Sequence, residues 1–283
     1  MALFLLGLAA AAILQAAAPA PVVSLPPGVV AVRDPALAFR ESTSTRERVS
    51  INGLWRFQPS AQDTEAVPEA GWGWFKVPGS WPRITDYMHK DSQIVYAHPD
   101  WKAGRMREVT SSWYQREITI PTAWAGRRID LTVEYLNSWA AVFIDGRKAG
   151  ELRYPGGSLD LSAAVSPGGH HILSVFVVAL PLQGVMLSYS DSARAKEVKG
   201  EVNRRGLCGD VWLEGVPAGP RITEVTVATH VEKGELAVGA EVAGLTADGS
   251  YRLRARVTDQ GKPVKELEGP VFRTADLREA TPF

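Results

Sequence analysis

The sequence predicts an all-β chain made of two successive sandwiches, and three observations predict it. Ile129, Leu131, Val133 and Tyr135 alternate with Arg128, Asp130, Thr132 and Glu134. A side-chain period of two gives a strand one face on a core and one in water. Turn formers then punctuate the strands: Asp145-Gly146 tolerates positive φ at both turn centres and closes a type I′ hairpin after residues 140–144. Pro155-Gly156-Gly157 and Pro167-Gly168-Gly169 follow, the second leading into the apolar strand 172–178. Beyond Pro217-Ala-Gly-Pro220, a natural linker, residues 222–227, 236–242 and 251–257 repeat short alternating strands at the rhythm of a sandwich.

Taken in order, residues 2–18 carry no charged side chain and are nearly all Ala, Leu, Ile, Phe and Gly, with Ala16 and Ala18 spaced as small residues before a cleavage point. That reads as a secretory signal peptide over residues 1–20 and a secreted or periplasmic protein, although no Lys or Arg stands near Met1. The rival reading is a membrane anchor, but the apolar run ends near residue 18, at the short limit for crossing a bilayer. Residues 21–47 are read as an extended N-terminal segment: a Pro, Ala and Val tether, then a polar irregular stretch with one helical turn near residues 42–46.

Residues 48–217 make the first sandwich. Ser50-Ile-Asn-Gly-Leu-Trp-Arg-Phe57 puts Ile51, Trp55 and Phe57 at strand spacing around an Asn-Gly turn. Residues 71–81 combine aromatics with turn formers, a strand ending at Pro78-Gly79. Trp72, Trp74 and Trp81 invite a sugar-stacking role, but aromatics bury large areas and the core reading is preferred. Residues 84–112 are the least regular part and include Tyr87, His89, Tyr96, His98 and Trp101; long loops in compact domains are more often functional than idle, yet no sugar contact is assigned to them. Residues 113–120 form a strand stopped by Pro121, and residues 180–202 read as an exposed loop or short helix. Glu117 and Glu134 are read as solvated strand positions and not as a catalytic acid and nucleophile pair, because both fall on the polar phase of their strands.

Residues 218–283 begin a second sandwich, with Tyr251, Leu253, Ala255 and Val257 facing in and Arg252, Arg254 and Arg256 facing water. About 60 residues is short of the roughly 100 residues and seven strands of an immunoglobulin-like domain, so this sandwich is expected to be incomplete. All nine tryptophans precede residue 213, which leaves the second sandwich without an aromatic sugar platform.

Composition narrows the function. With 31 basic and 31 acidic side chains the formal charge is zero, so the chain lacks the field that nucleic-acid binders need. The single cysteine, Cys208, excludes an intramolecular disulfide and reads as a buried small hydrophobe. The five histidines, at 89, 98, 170, 171 and 230, form no metal-binding spacing.

Six blocks in order carry a resemblance: Ile51-Asn-Gly-Leu-Trp-Arg-Phe57, Val77-Pro-Gly-Ser-Trp-Pro82, Trp113-Tyr-Gln-Arg-Glu117, the run from Val142 to Gly150, Gly156-Gly157, and Gly206-Leu-Cys-Gly-Asp-Val-Trp-Leu-Glu214. Together they resemble the N-terminal sugar-binding domain of glycoside hydrolase family 2, the family of β-galactosidases, β-glucuronidases and β-mannosidases. The resemblance implies a galactose-binding-like jelly-roll β-sandwich followed by an incomplete immunoglobulin-like β-sandwich. It implies a parent that is a retaining exo-β-glycosidase, first of the β-galactosidase type, whose two catalytic glutamates lie on a (β/α)8 barrel outside these residues. This chain alone is then expected to be inactive, with no catalytic residue, metal or cofactor of its own. Its partner is a β-glycoside reached through the barrel, with neither nucleic acid nor membrane, and self-association left open.

Asp210 matches an aspartate that in β-galactosidases reaches the substrate pocket of the neighbouring domain and helps hold a monovalent cation. A carboxylate accepts hydrogen bonds from sugar hydroxyls, which suits that task. The other reading is that Asp210 only fixes its turn, and Gly209 stands where β-galactosidases often carry Arg. The alternative for the whole chain is a stand-alone carbohydrate-binding module or lectin-like protein.

Overall fold

The computed structural model describes residues 22–31, 34–60, 66–81, 95–101, 106–179, 183–189, 195–201 and 204–277. The expected signal peptide, Tyr87 and His89 lie outside them. In chain order the strands are β1 (Arg40–Ser42), β2 (Glu47–Ser50), β3 (Gly53–Pro59), β4 (Gly73–Val77), β5 (Val95–Tyr96), β6 (Ser111–Thr119), β7 (Arg127–Val133), β8 (Leu136–Asn137), β9 (Trp139–Ile144), β10 (Arg147–Arg153), β11 (Gly157–Asp160) and β12 (His170–Val178). There follow β13 (Gln183–Tyr189), β14 (Ala195–Glu201), β15 (Gly206–Leu207), β16 (Val211–Pro217), β17 (Arg221–His230), β18 (Glu235–Ala243), β19 (Ser250–Asp259) and β20 (Lys262–Arg273).

Two antiparallel sheets make the first sandwich: one of five strands in the order β1-β2-β16-β7-β11, one of seven in the order β10-β9-β12-β6-β3-β4-β5. Their inner faces supply the predicted alternation. Trp55, Phe57, Phe75, Tyr114, Val142 and Val175 from the larger sheet meet Ile129, Leu131, Val133 and Leu213 from the smaller, all buried. The predicted hairpin forms: Asp145 and Gly146 both have positive φ, and Ile144 pairs with Arg147. Asp145 also ties that tip to β12, accepting from Ile172 N at 2.8 Å and from His171 Nδ1 at 2.7 Å.

Three stretches differ from expectation. Residues 183–201 contain the β13–β14 hairpin, not a loop or helix. The helical turn expected at 42–46 is the connection between β1 and β2, with a single 3-10 turn instead at Pro35–Leu37. The tether does not hang free: Val22 bridges Trp72, Val23 N donates to Trp72 O at 3.0 Å, and Trp74 Nε1 donates to Val23 O at 2.7 Å. The reason is a second apolar cluster on the outer face of the larger sheet, made by Trp72, Trp113, Ala141, Phe143 and Phe176, which Val22 helps to cover. Burying most of a valine contributes about 1–2 kcal/mol, so removing residues 1–24 should lower Tm by roughly 2–6 °C and red-shift tryptophan emission, read by calorimetry and fluorescence.

The outer face of the smaller sheet also departs from simple alternation. Asp130, expected in water, is buried, and it lies in one cross-strand row with Arg48, Glu214 and Asp160. Arg128 bridges two of these carboxylates, with Nε 2.7 Å from Asp130 and Nη1 3.3 Å from Asp160. Burial raises the carboxyl groups of Asp130 and Glu214 above their ordinary range; Asp160 raises Asp130 further, and Asp130 raises Glu214. Glu47 goes the other way: a hydrogen bond from Trp124 Nε1, at 2.7 Å, and Arg40 lower it.

The second unit is two hairpins, β17–β18 and β19–β20, facing each other across an open apolar cleft of about 770 Å³ that includes Val225, Val227, Leu236, Val238 and Leu253. Tyr251, Leu253, Ala255 and Val257 are half-buried and the intervening arginines are exposed, as predicted. Those arginines are neutralised across the strands, Arg252 and Arg254 by Glu268 at 2.8 and 2.9 Å and Arg256 by Glu266 at 2.7 Å.

The carboxyl shifts set the pH dependence of stability. A carboxyl raised by folding destabilises the native state while ionised, and that cost disappears as pH falls below its unfolded value. Glu214→Gln should therefore raise Tm at about pH 7 by on the order of 2 °C and have no effect near pH 3.5, roughly. Glu47→Gln should lower Tm at neutral pH, with the difference again lost in acid; thermal melts across pH read both.

Candidate functional site

The turn that carries Asp210 is built by its two flanks. On one side β15 pairs with β8, Gly206 opposite Asn137 and Leu207 opposite Leu136. On the other, β16 enters the smaller sheet between β2 and β7. Cys208 N and Gly209 N both donate to Tyr135 O, at 3.0 and 2.9 Å, and Glu134 N donates to Asp210 O at 3.0 Å. So close an approach explains Gly209: a Cβ there would lie 2.3 Å from Tyr135 N. The arginine of the β-galactosidase pattern does not fit this backbone. Gly206 is held similarly, with φ +102° and the Trp81 and Tyr114 side chains where a Cβ would go. Trp81 Nε1 donates to Tyr114 Oη at 2.5 Å, and burial holds that phenol far above the usual tyrosine range.

Asp210 is half-buried. Its Oδ1 accepts from Asn52 Nδ2 at 3.0 Å; among the described residues no hydrogen bond to Oδ2 is formed. Asn52 Oδ1 in turn accepts from Val211 N at 2.9 Å, and the Asn52 carbonyl accepts from Arg116 Nη1 at 2.8 Å. The carboxylate is thus held through one oxygen by the β2–β3 connection, with the second forming no hydrogen bond among the described residues. Beside the turn, the Tyr135 and Tyr154 rings meet edge to face at 5.9 Å, and Tyr154 is 60% exposed. Burial, then Tyr154 and Cys208, raise the Tyr135 phenol.

The other singled-out residues serve structure. Trp72, Trp74 and Trp81 are buried and offer no face to a sugar. Trp101 packs its ring on Phe57 at 5.7 Å and donates from Nε1 to Gly71 O at 2.8 Å. His98 Nδ1 accepts from Asp100 N at 3.2 Å, closing a local turn. Glu117, on β6 of the larger sheet, pairs with Arg56 at 3.0 Å, while Glu134, just past the end of β7, accepts from Trp212 Nε1 at 3.0 Å. The sequence does not single out Asn52 as the hydrogen-bond partner of Asp210. The sequence signal was its Asn-Gly pair, read only as a turn.

These features define a class: an all-β, two-sandwich region with one fixed, half-exposed carboxylate at a sheet end. No family model matches the chain. By sequence it is 30% identical over 148 residues to β-glucuronidase of Felis catus, covering 48% of this chain and 21% of that protein. It is 23% identical over 209 residues to a putative β-glucuronidase of Formosa agariphila, covering 72% of this chain and 22% of that one. Among solved structures, Bifidobacterium dentium β-glucuronidase superposes with a TM-score of 0.59 at 20% identity, over 81% of this chain and 40% of the enzyme. Ruminococcus gnavus β-glucuronidase gives 0.58 at 18% identity, over 85% and 41%. The chain spans about a fifth of the length of the curated relatives it matches and about two fifths of the solved ones. Its fold matches part of these enzymes, in keeping with the resemblance of its motif order to glycoside hydrolase family 2.

Cys208 gives a direct test of the turn. Its Sγ points at Gly79 O, 3.8 Å away, and burial pushes the thiol up to about 11, more than Ser80 and Arg204 lower it. Only the thiolate is nucleophilic, so iodoacetamide at about pH 8 should alkylate Cys208 roughly tenfold or more slowly than free cysteine; mass spectrometry over time reads the rate. Alkylation at the rate of free cysteine would mean that the turn opens.

Proposed function

We propose that this chain is the non-catalytic front of a retaining exo-β-glycosidase, in which the jelly roll buttresses a catalytic barrel and lends Asp210 to the sugar pocket. Support comes from glycosidase relatives that align over up to 72% of the chain and from folds that superpose over 81–85% of it. The single observation that carries the role of Asp210 is its geometry: one oxygen fastened to Asn52, the other without a hydrogen bond among the described residues, on a turn clamped between two strand pairs. A carboxylate so held accepts a hydrogen bond from a sugar hydroxyl without reorganising. The chemistry itself, protonation of the leaving group by one glutamate and attack by another, belongs to the barrel.

The sequence relatives carry the name β-glucuronidase, so a β-glucuronide leads the substrates to test. The β-galactoside to which the block from Gly206 to Glu214 points comes second. A stand-alone lectin-like module has less support, because every tryptophan of the 71–81 stretch is buried.

Two measurements test this reading. Reading the coding DNA beyond Phe283 should reveal a barrel with an Asn-Glu pair, and the 283-residue chain alone should leave nitrophenyl glycosides intact. In the joined polypeptide, Asp210→Ala should lower kcat/KM about tenfold or more, a loss of about 1.4 kcal/mol of transition-state stabilisation. Unchanged kinetics would reduce Asp210 to a turn residue.

A further inference from the structure

We infer that Asn52 is the positioning residue for Asp210, holding one carboxylate oxygen so that the other is presented to a sugar hydroxyl; this rests on the reading of Asp210 just given.

Asn52 lies between β2 and β3, 158 residues from Asp210 in sequence. Four polar bonds fix it: its N–H donates to Ser50 Oγ at 3.3 Å, its carbonyl accepts from Arg116 Nη1 at 2.8 Å, its Oδ1 accepts from Val211 N at 2.9 Å, and its Nδ2 donates to Asp210 Oδ1 at 3.0 Å. Arg116 is itself buried, with its guanidinium 6.0 Å from the Trp55 ring centroid. The amide orientation follows from chemistry. A backbone N–H only donates and a carboxylate only accepts, so Oδ1 must face Val211 and Nδ2 must face Asp210.

Those two bonds separate two roles. Accepting from Val211 N holds the start of β16, and a carboxylate at position 52 would do this equally well. Donating to Asp210 needs the amide nitrogen, and a carboxylate cannot supply it. A carboxylate there also sets two like charges in contact; such a pair shares one proton at a pH above that of an isolated carboxyl. Protonation then restores a donor toward Asp210.

The test is Asn52→Asp in the polypeptide that joins this chain to its barrel, compared with the unsubstituted enzyme, Asp210→Ala and the double variant. At about pH 7 Asn52→Asp should lower kcat/KM roughly tenfold, with the deficit shrinking as pH falls toward about 5. The double variant should be no worse than Asp210→Ala, because Asn52 acts through that carboxylate. A deficit that is independent of pH, or losses that multiply in the double variant, would make Asn52 merely structural and overturn the inference. Loss in Asp210→Ala with none in Asn52→Asp overturns the inference and spares the Asp210 reading; full activity of Asp210→Ala removes both. If Asn52→Asp does not fold, Asn52→Ala in the 283-residue chain takes its place: its crystal structure should show the Asp210 carboxylate in more than one rotamer, and a single unchanged rotamer overturns the inference.

Discussion

The smaller sheet of the first sandwich is complete only when β16 slides between β2 and β7. Trp212 to Gly215 pair with Ser50 to Glu47 on one side, and Val211 to Pro217 with Val133 to Arg127 on the other. Partners lie some 80 to 170 residues apart in the chain, so these contacts carry a high cost in loop closure. Everything else about the candidate site follows from that insertion. Because β15 is paired just before the turn and β16 just after it, residues 208–210 have no freedom to choose another path. Asp210 therefore owes its placement to the sandwich itself.

The aromatic side chains reinforce the same joint. Trp124 lies against Gly215, where a Cβ would come within 2.5 Å of its ring, and donates to Glu47 on β2. Trp212 is covered by the Arg48 guanidinium at 4.1 Å and donates to Glu134. These indoles fasten the joint at two points, each combining buried area with one satisfied N–H. Of the rings that look like a sugar platform in sequence, Trp81 lies in the sandwich core, while Trp72 is buried on the outer face of the larger sheet and Trp74 donates to Val23 of the N-terminal segment.

What the sequence reveals is what local chemistry determines. The alternation of β7, the Asp145-Gly146 hairpin and the inward set of β19 are set by period and turn geometry, and all form as read. The burial of Asp130 depends on Arg128 and on strands that reach it from residues 160 and 214, so no window around residue 130 reveals it. The packing of Val22 on Trp72 and the β13–β14 pairing are likewise tertiary. The motif singles out Asp210 in sequence, while Asn52 is visible there only as a turn former, since its hydrogen-bond partner is 158 residues away. Gly209, a departure from the β-galactosidase pattern in sequence, is in space a consequence of the approach to Tyr135.

On the proposed reading, a carboxylate held at a clamped turn suits a pocket shared with a catalytic barrel because it needs little reorganisation when sugar arrives. The central claim is that Asp210 faces a sugar held by a neighbouring catalytic domain, and a crystal structure of the joined polypeptide with a glucuronate-like inhibitor tests it most directly. The account predicts the Asp210 oxygen that is not bonded to Asn52 within hydrogen-bond distance, about 2.6–3.0 Å, of a sugar hydroxyl. An inhibitor bound with that oxygen turned to bulk water, or capped by a protein group, would contradict it.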